Sequence, residues 1–411
     1  MSAAPRARRP ARRALALCAL ASAAAAPALA APFAVAAAAP APAATAPSPA
    51  PPAAAPAQAQ RTSDGVVQRG LERLVAARGG PPGAIATLHR DGRTTVLRAG
   101  RADVRRPRPP RAGDHMRIAS VTKAFTGAVA LRLVQDGRLG LDDTIGRRLP
   151  ALPTAWAQVT VRQMLDHTSG LPDYTRSKGF AEQAGSDPRG YVSPPEIVGW
   201  VRGQPLEFAP GSRYAYSNTD NIVVALIAEE VTGTPYPRLL RDLVLRPAHL
   251  RETSFPTRRL SLPRPFLHGY VVDPGARPQD VTTALSPSGA WASGAIVSTP
   301  RDLGAFARHL LGGTFFGPAQ RREQLRFVPG SSSPPGPGAN AAGLGLFRYR
   351  TRCGTVYGHT GNFPGYVQWV AATADGRRSV TTTLDIPAPS GRLLRQLRAV
   401  QTSAVCALLG R

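Results

Sequence analysis

The chain has 411 residues, enough for one large domain or two closely packed ones, and 43% of them are hydrophobic. Its net charge of +26 comes almost entirely from arginine, which raises the question of a nucleic-acid partner. No basic run is interleaved with aromatic residues, so we interpret the charge as a scattered, solvated surface and expect no nucleic acid.

The first 30 residues predict an export signal. A positive segment runs from Arg6 to Arg13, an apolar segment runs from Ala14 to Ala26, and residues 28–30 offer a small-residue cleavage site. The apolar segment is too short to cross a bilayer. We therefore expect a secreted, extracytoplasmic protein without a membrane span after cleavage. The paired arginines leave both the Sec and the Tat route open.

Residues 31–62 consist largely of alanine and proline, a composition that cannot bury a core and that predicts a disordered linker. The rest of the chain, residues 63–411, predicts one folded domain. We expect its sheet part over about residues 63–125 and 280–411, and its helical part over about residues 126–279.

Hydrophobic periodicity and turn signals place the elements within this domain. In chain order the predicted elements are a helix over 66–77, strands over 84–89 and 94–99, a helix from Ser120 to near Gly137, a short helix from Thr160 to Leu165, a helix over 221–231 closed by Gly233, strands over 344–349, 367–371 and 380–386, and a C-terminal helix whose apolar stripe runs from Leu393 to Val405. Strands at both ends and helices between them predict an α/β (α+β) fold, in which an antiparallel sheet is flanked by helices and carries an inserted helical part.

Two cysteines, Cys353 and Cys406, remain once Cys18 is removed with the signal peptide. A lone pair of cysteines in an oxidising compartment favours a disulfide. We predict that this bond ties the C-terminal helix to a strand, and two buried free thiols are the alternative.

The pattern Ser120-x-x-Lys123 contains a nucleophile and a base in one helical turn. Both side chains lie on one face if Ser120 opens its helix, and the helix N-terminus adds positive potential beside the hydroxyl. Acyl transfer requires such a nucleophile, a base and donors for the oxyanion. Alone, the same pattern also fits an ordinary helix cap with a surface lysine.

Two distant motifs supply what the serine and the lysine lack. Tyr216-Ser217-Asn218 lies in a loop just before a predicted helix, and His359-Thr360-Gly361 lies in front of a predicted strand. Taken singly, the tyrosine fits a core or rim position and the histidine fits a satisfied loop position.

Together these motifs resemble the serine β-lactamase and penicillin-binding protein family, whose signatures are S-x-x-K, Y-x-N and K-T-G or H-T-G in this order. The flanking segments 118–123, 165–172 and 210–218 match as well, and the resemblance runs from about residue 65 to the C-terminus. It is closest to class C β-lactamases, exported D-alanyl-D-alanine carboxypeptidases and related esterases. The H-T-G form and the cysteine pair look most like the carboxypeptidases. The resemblance implies a β-lactamase/transpeptidase-like fold.

The resemblance also implies a role for each catalytic residue. Ser120 would attack the carbonyl carbon, and either Lys123 or Tyr216 would be the base that takes its proton. The ordinary pKa values of both are near 10, so at least one must be lowered. Lys123, together with His359 if it is charged, would favour a Tyr216 phenolate. Asn218 would orient Lys123 and bond the substrate amide.

The third motif is expected to bind the substrate. By the same resemblance, His359 and Thr360 would hold its terminal carboxylate, and Gly361 would leave room for a peptide along the strand edge. The backbone N–H groups of Ser120 and Asn362 would form the oxyanion hole.

The resemblance therefore predicts an exported D-alanyl-D-alanine carboxypeptidase-like serine hydrolase. It would cleave peptidoglycan stem peptides through a serine acyl-enzyme, and β-lactams would acylate the same serine. A class C-type β-lactamase, a D-amino-acid peptidase and a carboxylesterase are alternatives, because one site geometry serves all of them. A penicillin-sensing or wall-binding protein is the alternative outside the enzymes. We expect a monomer, no cofactor and no metal.

Four further residues are weaker candidates. Ser169 resembles a second nucleophile but is interpreted as part of a structural turn. Trp291 fits a pocket or the core equally well. Arg348 and Arg350, on the strand before His359, would bind a carboxylate or would simply be surface charges.

Overall fold

The computed structural model describes residues 54–273 and 275–411, so the predicted signal peptide and residues 31–53 of the predicted linker lie outside the described residues. Its strands are β1 (Gly83–Arg90), β2 (Arg93–Gly100), β3 (Met116–Arg117), β4 (Tyr270–Val271), β5 (Gln279–Asp280), β6 (Val297–Ser298), β7 (Val328–Pro329), β8 (Ala339–Gly343), β9 (Leu346–Thr351), β10 (Gly354–Phe363), β11 (Tyr366–Ala372) and β12 (Ser379–Leu384).

Its helices are α1 (Ala54–Val75), α2 (Thr122–Gln135), α3 (Ile145–Arg148), α4 (Val161–Leu165), α5 (Lys178–Ser186), α6 (Pro194–Gly199), α7 (Asn218–Thr232), α8 (Tyr236–Leu240), α9 (Trp291–Gly294), α10 (Pro300–Gly312), α11 (Pro318–Gln324) and α12 (Gly391–Leu409). Short 3-10 helices span Ala119–Val121, Thr154–Trp156 and Tyr174–Arg176, and a π-helix spans Arg241–Leu245. Helix α1 begins at Ala54, so residues 54–62 of the predicted linker are helical.

Within the described part of the chain, eight strands form one antiparallel sheet in the order β2-β1-β12-β11-β10-β9-β8-β7. Strands from both ends of the chain therefore form one sheet, as predicted, and the first and last of them pair directly with each other. The β1–β2 hairpin turns at Asp91 and Gly92, both with positive φ, which favours the Asp-Gly pair found there.

Burial along the strands follows their place in the sheet. Strand β2 alternates exposed and half-buried residues because it lies at an edge, whereas every residue of β11 and β12 is buried. Central strands covered on both faces lose the polar alternation that marks a half-exposed strand.

Two apolar layers cover the two faces of this sheet. On one face α1 and α12 pack against the strands through residues such as Leu71, Trp369 and Val405. On the other face α2, α7 and α10 enclose a larger core, in which the rings of Phe125 and Phe306 stack. Helix α2 is buried on almost all sides, so it is a central core helix.

The division into sheet and helical parts follows the prediction only approximately. The small β4–β5 hairpin lies inside the range predicted as helical, and α9, α10 and α11 lie inside the range predicted for the sheet. A disulfide joins Cys353 to Cys406 on α12, which confirms the predicted pair. Cys353 lies in the turn between β9 and β10, whereas the prediction placed it on a strand. None of the helices in residues 54–273 and 275–411 combines the length and apolarity needed to cross a membrane.

Candidate active site

Ser120 lies in the 3-10 helix that leads directly into α2, at the junction between the sheet and the helical layer. Ala119, just before it, has a φ of 50°, a left-handed backbone that L-residues rarely adopt. The sharp bend leaves Ser120 half-buried, while both of its neighbours in the 3-10 helix are buried. Such local strain is characteristic of functional positions.

Lys123 is fully buried and points at three oxygen atoms. Its Nζ lies 3.1 Å from Ser120 Oγ, 2.7 Å from Asn218 Oδ1 and 2.8 Å from the carbonyl oxygen of Ser293. The amide and carbonyl oxygens can only accept hydrogen bonds, so each takes one N–H of the amine. In the neutral amine the remaining lone pair then faces Ser120.

The protonation of Lys123 suits this arrangement. Burial lowers the pKa of Lys123 from its ordinary value to about 7, although the nearby Asp173 and Asp220 raise it. Near neutral pH a large share of the amine is therefore unprotonated and able to accept the proton of Ser120.

Tyr216 lies on the other side of the amine, with Lys123 Nζ 5.1 Å from its ring centroid. Its hydroxyl oxygen is buried and has no hydrogen-bond partner among the described residues. Burial raises the pKa of Tyr216 above its ordinary value, even though Ser120 lowers it. Burial therefore favours the neutral phenol over the phenolate, and the choice between Lys123 and Tyr216 as the base stays a prediction.

Asn218 links the lysine to an acidic residue. It is the first residue of α7; its Oδ1 accepts from Lys123, and its Nδ2 donates to Asp173 at 3.2 and 3.1 Å. The structure thus brings Ser120, Lys123, Tyr216 and Asn218 into one cluster.

His359 lies inside strand β10, not in front of a strand as predicted, because β10 runs from Gly354 to Phe363. It is fully buried, and its Nδ1 contacts the carbonyl oxygen of Thr360. Burial and the charge of Lys123 lower the pKa of His359 to about 3. Burial therefore favours the neutral histidine, and its Nε2 has no hydrogen-bond partner among the described residues. A charged His359 beside Tyr216 stays a prediction.

Thr360 faces away from His359. It pairs with Trp369, in the layer beneath α12, whereas His359 pairs with Val370, in the larger core. Directly opposed residues share a face of the sheet. The Thr360 hydroxyl donates to the carbonyl oxygen of Pro334 at 2.7 Å, so it is occupied in this structure. Its expected contact with a substrate carboxylate stays a prediction.

Gly361 shows why this strand lies so close to the nucleophile. A Cβ atom on Gly361 would lie 2.2 Å from the carbonyl oxygen of Ile118 and 3.2 Å from Cβ of Ala119. Only glycine allows β10 to approach the residues before Ser120 to this extent. Asn362 follows, and its Oδ1 accepts from the N–H of Ala388 at 2.8 Å. The oxyanion hole of the Ser120 and Asn362 N–H groups stays a prediction.

The four weaker candidates from the sequence lie in different environments. Ser169 is fully buried and donates to Asp220, which fits the structural interpretation. Trp291 is almost fully buried and packs against the ring of Tyr236, so it belongs to the core. The Arg348 guanidinium lies over the ring of Phe327, while Arg350 is exposed.

Sequence reasoning missed two partners of the lysine network. Asp173 follows directly on the matched segment 165–172, and this position beside a family motif could have identified it as a candidate site residue. Ser293 contributes its backbone carbonyl, a group that every residue possesses, so no sequence signal identifies it.

Comparison with known proteins decides the family. The model of the family described as "Beta-lactamase" matches residues 67–402, which is most of the chain. The chain belongs to the beta-lactamase family. Penicillin-binding protein 4* of Bacillus subtilis (strain 168) is 28% identical over 295 residues, which cover 68% of this chain and 63% of that protein. Protein flp of Staphylococcus aureus (strain N315) is 28% identical over 202 residues, or 48% of this chain and 38% of that protein. The chain thus spans less than two thirds of these curated relatives.

Solved structures of the beta-lactamase fold match over more of their length. A D-stereospecific amidohydrolase from Streptomyces sp. is 31% identical with a TM-score of 0.70, covering 79% of this chain and 94% of its own. The D-amino acid amidase from Ochrobactrum anthropi SV3 is 28% identical with a TM-score of 0.73, and the match covers 85% of this chain and 98% of the amidase. An octameric penicillin-binding protein homologue from Pyrococcus abyssi is 22% identical with a TM-score of 0.69, and the match covers 84% of this chain and 77% of the homologue. At this identity the similarity supports only a shared fold. The family match over residues 67–402 and these structures therefore agree on membership of the beta-lactamase family and on its fold.

Proposed function

We propose that this protein cleaves an amide bond of D-amino-acid substrates through an acyl-enzyme on Ser120. The observation that supports this most directly is the distance of 3.1 Å between Lys123 Nζ and Ser120 Oγ. Asn218 Oδ1 and the carbonyl oxygen of Ser293 can only accept hydrogen bonds, so in the neutral amine they take both N–H groups and leave the lone pair for the serine proton. This is the geometry of a nucleophile with a general base in place.

The reaction then has two balanced steps. The Lys123 amine takes the Ser120 proton as Oγ bonds to the carbonyl carbon. The C–N bond then breaks as Lys123 returns this proton to the leaving nitrogen, either directly or through Tyr216, whose phenol gives its proton to the nitrogen and is reprotonated by Lys123. Water then attacks the ester and gives one proton to the neutral Lys123 amine, and the ester C–O bond breaks as Lys123 passes that proton to Ser120 Oγ, which releases the acid and restores the serine. Two backbone donors for the oxyanion, at Ser120 and Asn362, complete this mechanism.

Our first candidate substrate is a peptidoglycan stem peptide ending in D-alanyl-D-alanine, with release of the terminal D-alanine. The His359-Thr360-Gly361 motif and the similarity to a penicillin-binding protein support it. β-Lactams would then acylate Ser120 as covalent ligands.

One observation favours a second candidate, the amide of a D-amino acid. A terminal carboxylate calls for a cation or free donors, but burial favours a neutral His359 and the Thr360 hydroxyl already donates to Pro334. An amide substrate has no such carboxylate. Two of the similar structures are a D-stereospecific amidohydrolase and a D-amino acid amidase.

A substrate panel tests the proposal and ranks the candidates. Diacetyl-L-Lys-D-Ala-D-Ala, D-phenylalanine amide, nitrocefin and p-nitrophenyl acetate would be assayed for kcat/KM, with L-phenylalanine amide as the stereochemical control and Ser120→Ala as the enzyme control. We expect turnover of the peptide or the D-amide that Ser120→Ala lacks. Turnover of the ester or nitrocefin alone would contradict the proposed amide chemistry.

We also propose that the protein acts as an exported monomer. The disulfide between Cys353 and Cys406 supports an oxidising compartment, and the N-terminal charge and apolar pattern support export. N-terminal sequencing of protein secreted by the native cell should find a start near residue 31, and light scattering should give the monomer mass. A full-length chain retained in the cytoplasm would contradict the export proposal.

A further inference from the structure

Asp173 is an acidic residue that the family motifs do not include, and it lies directly behind Asn218. We propose that Asp173 is a positioning residue that fixes the orientation of the Asn218 amide and holds a negative charge beside Lys123. This inference deepens the proposed function, because it concerns the base of the same acyl-transfer site.

The carboxylate of Asp173 is held firmly in place. The residue is 7% exposed and caps the 3-10 helix Tyr174–Arg176. Its Oδ1 accepts from the N–H of Thr175 at 3.1 Å and from the Thr175 hydroxyl at 3.0 Å. Among the residues that the structure describes, the other hydrogen bonds to the carboxylate come from Nδ2 of Asn218, at 3.2 and 3.1 Å. One side of Asp173 is therefore anchored to its own turn and the other side faces the active site.

This contact decides which way the Asn218 amide points. An amide side chain offers an acceptor at one end and two donors at the other, and it can flip between two orientations. An ionised carboxylate only accepts, so it selects the orientation with Nδ2 toward Asp173. The Oδ1 atom is then left facing Lys123 at 2.7 Å. With the amide reversed, two acceptor oxygens would oppose each other and the lysine would lose an acceptor.

The residue after Asp173 supports the second acceptor of the lysine. The Tyr174 hydroxyl lies 3.1 Å from Ser293 Oγ and donates to the carbonyl oxygen of Gly289 at 2.9 Å. The backbone carbonyl of Ser293 accepts from Lys123. Asp173 and Tyr174, which are adjacent in sequence, therefore contact Asn218 and Ser293, respectively. These are the two residues whose oxygens accept from Lys123 and leave its lone pair for Ser120.

The charge of Asp173 acts on the same lysine. The titratable side chains that face or interact with Lys123 are Asp173, Asp220, His167, His359 and Tyr216. Burial lowers the pKa of Lys123 to about 7, against the opposing effects of Asp173 and Asp220. The oxygens of Asp220 contact His167 and Ser169, and burial raises its pKa well above its ordinary value. Removing the charge of Asp173 should therefore lower the pKa of Lys123 further.

The sequence makes this measurable without a substrate. The chain contains only two lysines, the buried Lys123 and Lys178, whose side chain is 90% exposed. Lysine-selective isotope labelling gives two side-chain NMR signals, and Lys178 serves as an internal control. We expect wild-type Lys123 to titrate near pH 7, and Asp173→Asn to lower its midpoint by about one pH unit, or tenfold in the ratio of amine to ammonium.

A matched variant separates this effect from general damage. Thr175→Val removes the hydroxyl bond on the far side of Asp173 and keeps the charge, so its Lys123 midpoint should equal that of the wild type. Asp173→Asn should also lower kcat more than it raises KM, because the amine loses its fixed orientation. A wild-type midpoint in Asp173→Asn, or an equal shift in Thr175→Val, would overturn the inference.

Asp173→Glu provides a second test should Asp173→Asn not fold. It keeps the charge while displacing the carboxylate, so the Lys123 midpoint should stay within a few tenths of a pH unit of the wild type while kcat falls. A midpoint displaced by a full pH unit would contradict the assignment. The titration does not require turnover, so failure of the substrate panel and failure of this inference are separate results.

Discussion

Lys123 is surrounded by a serine hydroxyl, an amide oxygen and a peptide carbonyl, and it is buried completely. The acceptors and the burial have opposite effects on the pKa of Lys123. Three acceptors would hold an ammonium, while burial disfavours the charge and lowers the pKa of Lys123 to about 7. The balance places the amine where it can both take and return a proton near neutral pH.

The pH dependence of acylation follows from this balance. The active form of Lys123 is the neutral amine, so the rate of Ser120 acylation should rise with pH through about pH 7 and then level off. Stopped-flow acylation by nitrocefin or p-nitrophenyl acetate across pH 5 to 9 would measure this limb. A rate still rising at pH 9 would contradict Lys123 as the base.

Replacement of the lysine tests the same point by mutation. Lys123→Arg keeps a cation but supplies no base near neutral pH, so kcat/KM should fall by about 10²–10⁴. Lys178→Arg, on the exposed surface of α5, should leave kcat/KM unchanged. Equal activity of both variants and the wild type would exclude proton transfer by Lys123.

Single residues also show what the sequence was able to predict. Ser120, Lys123 and Tyr216 were predicted from the resemblance to the family motifs, and the structure brings their side chains together. Protonation states were not predictable, since burial of His359 and of the Tyr216 hydroxyl depends on the packing of distant strands and loops. The contact between Asp173 and Asn218 was not predictable, because it joins the cap of the 3-10 helix Tyr174–Arg176 to the first residue of α7, 45 residues further along the chain.

At the scale of elements, the site depends on the contact between strand β10 and the 3-10 helix Ala119–Val121. The sequence predicted the neighbouring strands from their apolar runs, but β10 contains three glycines, a histidine and an asparagine and lacks such a run. Pairing with β9 and β11 over its length makes it a strand. Tertiary context therefore overrode weak local propensity at the functional strand.

Gly361→Ala tests this contact. The added Cβ would lie 2.2 Å from the backbone oxygen of Ile118, so β10 or the 3-10 helix must move. We expect a loss of stability of about 1–3 kcal/mol and a marked loss of Ser120 acylation. Urea unfolding and acylation rates would measure both, with Gly312→Ala as the control because a Cβ there meets no atom within 4 Å. Normal acylation by Gly361→Ala would show that this close approach is dispensable.

At the scale of the whole molecule, elements from the two ends of the described chain pack against each other. Strands β1 and β12, from opposite ends of the sequence, pair as the second and third strands of the sheet, and α1 and α12 cover one face together. The hairpin signals and the strands at both ends predicted this arrangement. The position of β7 and β8 at the far edge was not predicted, because Ala339–Gly343 is short and contains only small residues and one asparagine.

The disulfide acts at this global scale. Cys353 and Cys406 are 53 residues apart in sequence, and their bond restricts the unfolded chain more than it shapes the active site. The double variant Cys353→Ser/Cys406→Ser should lose about 2–4 kcal/mol of unfolding free energy in urea titrations while keeping its kcat. A large fall in kcat with unchanged stability would reverse this interpretation.

The most direct test of the central claim is to locate the acyl group. Wild-type protein would be mixed with p-nitrophenyl acetate or a fluorescent penicillin, quenched in acid during the acylation phase, digested and mapped by mass spectrometry. The structure predicts an ester on Ser120 alone, absent from Ser120→Ala and much slower to form in Lys123→Arg. Acylation of Ser169 or another side chain, or equal labelling of Ser120→Ala, would contradict the account.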